Sequence, residues 1–184
     1  APGASTQVQV MLTGADAAGT RHLLWETILR IEPWGSRRVL MLEWMTMRHP
    51  VGHFDPDRPR LPGQEVPGLG LAEEAVQLLV RVCERLDLDG VLLRPAWYHT
   101  AAMGSRAFRF EDPRLQGELD ALRRDLGHLP LITLSNAVSE GRVRRNGEPW
   151  SWTAGEMIHW RRDPPPWDSD TRDAAREAAH FSLA

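Results

Sequence analysis

The sequence predicts an α+β fold, a single domain with a mixed, mostly antiparallel β-sheet flanked by helices. Three observations lead there. Strand-like runs joined by short turns fill the first fifty residues, the apolar period changes to a helical one at Leu71, and "DLDG" then leads into a short apolar run at 91–94. Short turns make antiparallel pairs, whereas a helix between two strands of one sheet makes those strands parallel. A chain of 184 residues with 42% hydrophobic content is long enough to bury a core.

The elements follow in order. Residues 6–13 ("TQVQVMLT") alternate polar and apolar side chains, and "LLWETILRIE" (23–32) and "RVLMLEWMTM" (38–47) flank the Pro/Gly turn "PWGS". If 33–36 is a four-residue loop, Glu32 faces Arg37 and, counting outward, Glu26 pairs with Glu43. Two carboxylates opposite each other stand about 5 Å apart and push one pKa upward, as a general base or a metal site requires. The alternative is a solvated sheet face, or a shifted register that separates them.

Residues 48–68 hold five prolines and form a long loop. Within it His49, His53, Asp55 and Asp57, with His99 later in the chain, are of the types that ligate zinc or iron, which leaves a metal-dependent hydrolase as one alternative. Pro50 and Gly52 argue against a helix that would bring the histidines to one face, so ordinary loop polarity is the other alternative.

From Leu71 to Leu86 apolar residues recur at three- and four-residue steps, the pattern of an amphipathic helix. "AWYHTAAMGSRAFRF" suggests a short helix, and "DPRLQGELDALRRDLG" a longer one with Asp112 as N-cap, Pro113 in the first turn and Gly127 as the stop. Residues 131–138 are expected as a strand, "NGEP" as the turn of a hairpin between 142–145 and 150–152, and 156–161 as a last strand. Residues 1–162 then make the main domain, and 163–184 a Pro-rich linker with a terminal helix.

Composition excludes whole classes of chemistry. All 22 basic residues are arginine, so Schiff-base catalysis, pyridoxal phosphate anchoring and a P-loop lysine are absent. The single cysteine, Cys83, forbids an internal disulfide and suggests a buried thiol. A net charge of −3 with dispersed arginines does not resemble a nucleic-acid footprint, and Arg142, Arg144 and Arg145 read as a solvated hairpin face. No apolar run approaches the roughly 18 residues of a membrane span, and the start Ala1-Pro2-Gly3 shows no leader pattern, so a cytoplasmic protein without membrane or nucleic-acid partners is expected.

A β-meander, a Gly-containing turn opening an amphipathic helix, a parallel strand and another helix resemble the GNAT family of N-acetyltransferases over roughly residues 21–112. In that family a Q/R-x-x-G-x-G/A segment at the helix start holds the pyrophosphate of acyl-coenzyme A, and the matching stretch here is "EVPGLG". The resemblance implies that acetyl-coenzyme A or another acyl-coenzyme A binds at Gly68, Leu69, Gly70 and Leu71, and that an acyl group passes to a small-molecule or protein amine. It further implies a meander carboxylate, Glu43 or Glu26, as base and Tyr98 or His99 as acid. Glu73 and Glu74 equally suit dipole stabilisation of a helix that "PGLG" merely introduces. The rival function is a catalytically silent interaction module of the same fold. Its homodimer or protein contact would lie in the C-terminal region of Trp150, Trp152, Trp160 and Trp167.

Overall fold

The computed structural model describes residues 7–50, 52–54 and 59–184. The chain opens with strands β1 (Gln7–Ala15), β2 (Arg21–Trp34) and β3 (Arg37–Met47), followed by helix α1 (Ala72–Arg85) and strand β4 (Gly90–Leu93). Then come α2 (Tyr98–Gly104), β5 (Arg109–Phe110), α3 (Pro113–Leu126) and α4 (Leu131–Ser139). The remainder is β6 (Val143–Arg145), β7 (Glu148–Pro149), β8 (Met157–Trp160), α5 (Ser169–Ala178) and β9 (Phe181–Leu183). The fold class is α+β, with a six-stranded mixed sheet in the order β1-β2-β3-β4-β8-β5 and a three-stranded sheet in the order β7-β6-β9. Two compact units divide the chain: residues up to Arg60 with Gln64–Leu93 and His159–Asp163, and Leu61–Gly63 with Arg94–Ile158 and Pro164–Ala184. Among the described residues no helix is long and apolar enough to cross a membrane.

The first unit is a meander followed by a crossover. β1 pairs antiparallel with β2 and β2 with β3, while β3 runs parallel to β4, with Val39–Leu42 facing Gly90–Leu93. The β2–β3 turn is tighter than a four-residue loop. Trp34 faces Arg37, and Gly35 takes the first central position at φ +62°, a conformation that glycine reaches without cost. A bulge then shifts the register between Ile28 and Leu29, where two residues of β3, Glu43 and Trp44, meet one step of β2. Glu26 therefore faces Thr46, and the expected Glu26–Glu43 pair does not form.

α1 closes the crossover with a narrow stripe. Ala75, Leu79 and Cys83 are buried with Val39, Leu40, Leu88, Val91 and Leu92, whereas Leu71, Leu78 and Leu86 stay exposed. The Cys83 thiol donates to the Leu88 carbonyl at 3.4 Å, and burial pushes its pKa up. Cys83 should consequently react with an aromatic disulfide reagent at least about a hundredfold more slowly in the folded protein than in strong denaturant. Equal rates would place the thiol at the surface.

The second unit contains α2 to α5 and the small sheet. Asp112 caps α3 by accepting from Arg114 N at 2.8 Å, with Pro113 at the first helical position and Gly127 at the end. Leu119, Ala121, Leu122 and Leu126 form its buried stripe. Residues 131–138 are helical rather than extended. Leu134, Ser135, Ala137 and Val138 make one buried helical face, and Ser135 Oγ donates to the Leu131 carbonyl at 2.6 Å, a bond one turn back along the helix. The Asn-Gly turn forms, with Asn146 at φ +52°, Gly147 at φ +86° and Arg145 facing Glu148. Its second strand ends at Pro149, so Trp150 and Trp152 lie beyond it and join an aromatic cluster with Tyr98, Phe110 and Phe181. The C-terminal segment ends in a strand, β9, that pairs with β6.

Candidate functional site

Two places in the chain gather chemically capable groups, one in each unit. In the first unit, a parallel crossover puts the helix N-terminus at the carboxyl ends of the strands it joins, which is where open sheets carrying such crossovers bind ligands. β3 continues for five residues beyond its last partner on β4, from Glu43 to Met47. The segment before α1 returns to this edge. His49 N donates to the Pro67 carbonyl at 2.8 Å, and a side chain on Gly68 would begin 3.8 Å from the Met47 carbonyl oxygen. Gly70 sits at φ +76° with open space where a Cβ would stand, and Leu71, the N-cap, offers no side-chain acceptor to the first turn. Gly68, Leu69, Gly70 and Leu71 thus come together at the mouth of a fourteen-residue helix. Amides of a first turn lack intrahelical acceptors and carry the positive end of the helix dipole.

The meander carboxylates lie on the polar face of the same unit. Gln7 Nε2 donates to Glu43 Oε2 at 3.0 Å and Arg30 Nε stands 3.2 Å from Glu43 Oε1, while Gln9 Nε2 donates to Glu26 Oε1 at 2.7 Å. Each has its own partners. His49 and His53 are in the loop that follows β3, and Asp55 and Asp57 lie outside the described residues. Among the described residues no three His, Cys, Asp or Glu side chains form a group able to hold a metal.

In the second unit, Tyr98 and His99 open α2 and line a cavity of about 240 Å³ with Trp97, Ser135, Ser151 and Trp152 among its walls. Trp152 is fixed by its Nε1, which donates to the Pro95 carbonyl at 3.1 Å, and by an edge-on contact with the Tyr98 ring at 5.8 Å. The Trp97 indole stacks on the His99 imidazole, with centroids 6.5 Å apart and planes 15° from parallel. Both titratable groups are buried. Burial raises the Tyr98 pKa, opposed in part by the Arg123 charge, and burial lowers that of His99. His99 is only 6% exposed, and its Nδ1 has no hydrogen-bond partner among the described residues.

The sequence pointed to Tyr98 and His99 but not to Ser135, Ser151 or the cavity. The one local signal was the crowding of aromatic and imidazole groups in "AWYH". The C-terminal tryptophans are half-buried, Trp167 donating to the Glu111 carbonyl at 3.1 Å under the Arg109 guanidinium, and Trp160 packing beneath Arg37. No protein-family model matches the chain, and no curated protein matches it in sequence.

Proposed function

We propose that the chain binds an acyl-coenzyme A at the mouth of α1 and transfers the acyl group to an amine. The observation that carries this reading is the conjunction at one sheet edge: β3 outruns β4, and an uncapped α1 opens beside it behind Gly70 in the left-handed region. A diphosphate placed there would accept hydrogen bonds from the amides of the Gly68–Leu71 turn and the first turn of α1, with no side chain at Gly68 or Gly70 to keep it away. Glu43 is the base in this reading, because the bulge puts it at the point where β3 leaves β4. It would take the amine proton as nitrogen attacks the thioester carbonyl and coenzyme A departs as the thiolate. One observation favours the silent binding module instead: the Gln7 and Arg30 contacts already engage both oxygens of Glu43.

The test is a thermal-shift titration with coenzyme A and acetyl-coenzyme A, followed by an assay of thiol release with simple amines. At about ten times its Kd, a ligand that binds only the native state adds about 1.4 kcal/mol. Wild type should therefore rise in Tm with coenzyme A, Gly70→Asn should keep the rise because asparagine tolerates the left-handed region, and Gly70→Glu should lose it. An unshifted wild type at about 1 mM ligand would sink the proposal. A shift without thiol release from any amine would select the silent module.

A further inference from the structure

We propose that β1 pairs antiparallel with β1 of a second copy of the chain, across a two-fold axis at Val10, and so extends the sheet into a dimer. The proposal is independent of coenzyme A binding at α1. Its first support is an unguarded strand edge. β1 is an end strand of the six-stranded sheet, and among the described residues nothing pairs with its outer side. In an antiparallel strand the N–H and C=O groups of every second residue point to the same edge, so half of those in β1 face outward. Proteins protect such edges with charges, prolines or very short strands. β5, β7 and β9, the other end strands, are two, two and three residues long, whereas β1 ("QVQVMLTGA") has nine residues without a charge or a proline.

The second support is the side-chain pattern. Val8, Val10 and Leu12 face Leu29, Thr27 and Trp25 of β2. Leu29 and Thr27 are buried, so the core reaches β2 on this face, but Val8, Val10 and Leu12 are 48%, 49% and 54% exposed. The apolar layer stops uncovered at β1. On the opposite face Gln7 Nε2 and Gln9 Nε2 donate to Glu43 and Glu26 of their own chain, so these amides are already engaged.

These features choose the occupant. A strand without charge offers no attraction to an acidic or a basic segment. It selects an equally apolar, uncharged strand of the same alternation, and its own copy is one. A two-fold axis at Val10 sets Val10 against Val10, and Val8 against Leu12 in both directions. Each row then runs unbroken through four strands, as Leu29–Val8–Leu12–Trp25 and Thr27–Val10–Val10–Thr27, and no like charges meet. An axis at Gln9 would set Leu12 against Thr6, and one at Met11 would set Val8 against Gly14, so Val10 is the register that the apolar pattern favours. Because the pairing uses the outer edge of both β1 strands, assembly stops at two. A strip of seven paired residues, about 24 Å long, is at the small end of specific interfaces, so a Kd of about 10–100 μM is expected.

Sedimentation equilibrium from about 5 to about 500 μM reads the mass, which should rise from 20.8 kDa toward twice that value and no further. Val10→Lys and Val10→Glu should each weaken the dimer at least about tenfold, since like charges then stand about 5 Å apart across the axis. Mixed in equal amounts, the two variants should associate at least about tenfold more tightly than either alone, with lysine facing glutamate. In wild type, hydrogen exchange of alternate β1 amides should slow as the concentration rises.

Four results would overturn the proposal. They are a wild type that stays monomeric at about 500 μM, a mass that grows past twice the monomer, a Val10→Lys variant that associates as wild type does, and a mixture no tighter than its components. The third would move the contact to another surface, such as the tryptophans of the C-terminal region. A monomer whose outward β1 amides are equally protected at both concentrations would show the chain covering this edge itself, and counts with the first. If neither variant folds, exchange in wild type decides alone, because alternate β1 amides must slow with concentration.

Discussion

Gly117→Val should destabilise the second unit by about 3 kcal/mol or more, the upper part of the range for overpacked sites. Gly117 sits in the middle of α3, where a glycine costs about 1 kcal/mol relative to alanine. It stands there because α5 crosses at this point. A Cβ on Gly117 would collide with the Arg172 carbonyl oxygen and come within 2.8 Å of Ala175 Cβ and 2.9 Å of Arg176 N. Two of those three atoms are backbone, which cannot turn aside as a side-chain end can. α5 has no buried residue of its own, so close approach to α3 is a large part of what holds it. Even Gly117→Ala should lose stability, because the clash outweighs the gain in helix propensity, and valine adds two further methyl groups. Urea unfolding reads the loss, and hydrogen exchange across α5 should accelerate first. If the valine variant stays within about 0.5 kcal/mol of wild type, the two helices do not meet at this glycine.

What the sequence made legible was local. The α1 pattern, the Asp112 cap with Pro113, and the Asn146-Gly147 turn each depend on residues within four or five positions of one another, and each appears as expected. The β2–β3 register depends on one number, the length of the turn. Taking the loop as 33–36 rather than Gly35-Ser36 moves every cross-strand partner, and the bulge at Glu43 moves them again. For residues 131–138, five apolar residues interrupted by Thr133, Ser135 and Asn136 are too short a stretch for period to separate a buried strand from a buried helix face. Tertiary packing decided it, through the face of Leu134, Ser135, Ala137 and Val138.

The same division separates the two sites. The α1 mouth is one continuous stretch, so its glycines could be read directly. The second-unit cavity draws on Pro62, on 96–99, on 135–141 and on Ser151 and Trp152, segments that only the folded chain brings together. His99 was visible as a histidine. Its missing partner was not.

Asp125→Ala should cost about 2 kcal/mol at neutral pH, and part of that cost should disappear in acid. Arg124 donates to both oxygens of Asp125, from Nε at 2.7 Å and from its NH2 at 2.9 Å. With its other protons it holds the Arg176 carbonyl at 2.9 Å and the Ala179 carbonyl at 2.6 Å, so it closes the end of α5. Asp125 in turn accepts from Phe181 N at 2.8 Å, the first residue of β9. The Arg124 guanidinium, and after it the Phe181 amide, hold the Asp125 pKa down at about 2 against an ordinary 3.8, with His180 adding a weaker favourable charge. A carboxyl whose pKa is lower in the folded than in the unfolded state adds stability that is complete above about pH 4 and is lost as the pH falls towards 2. At 1.36 kcal/mol per pH unit the full difference would approach 2.4 kcal/mol, and partial solvent exposure reduces it to about 1. The deficit of Asp125→Ala relative to wild type should therefore shrink by about 1 kcal/mol between pH 6 and pH 2.5, leaving the part due to the lost Phe181 contact. Asp125→Asn, which keeps an oxygen for the Phe181 amide, should show mainly the pH-dependent part. Deficits that stay equal at both pH values would mean that the Arg124–Asp125 pair contributes packing and hydrogen bonds but no net charge interaction.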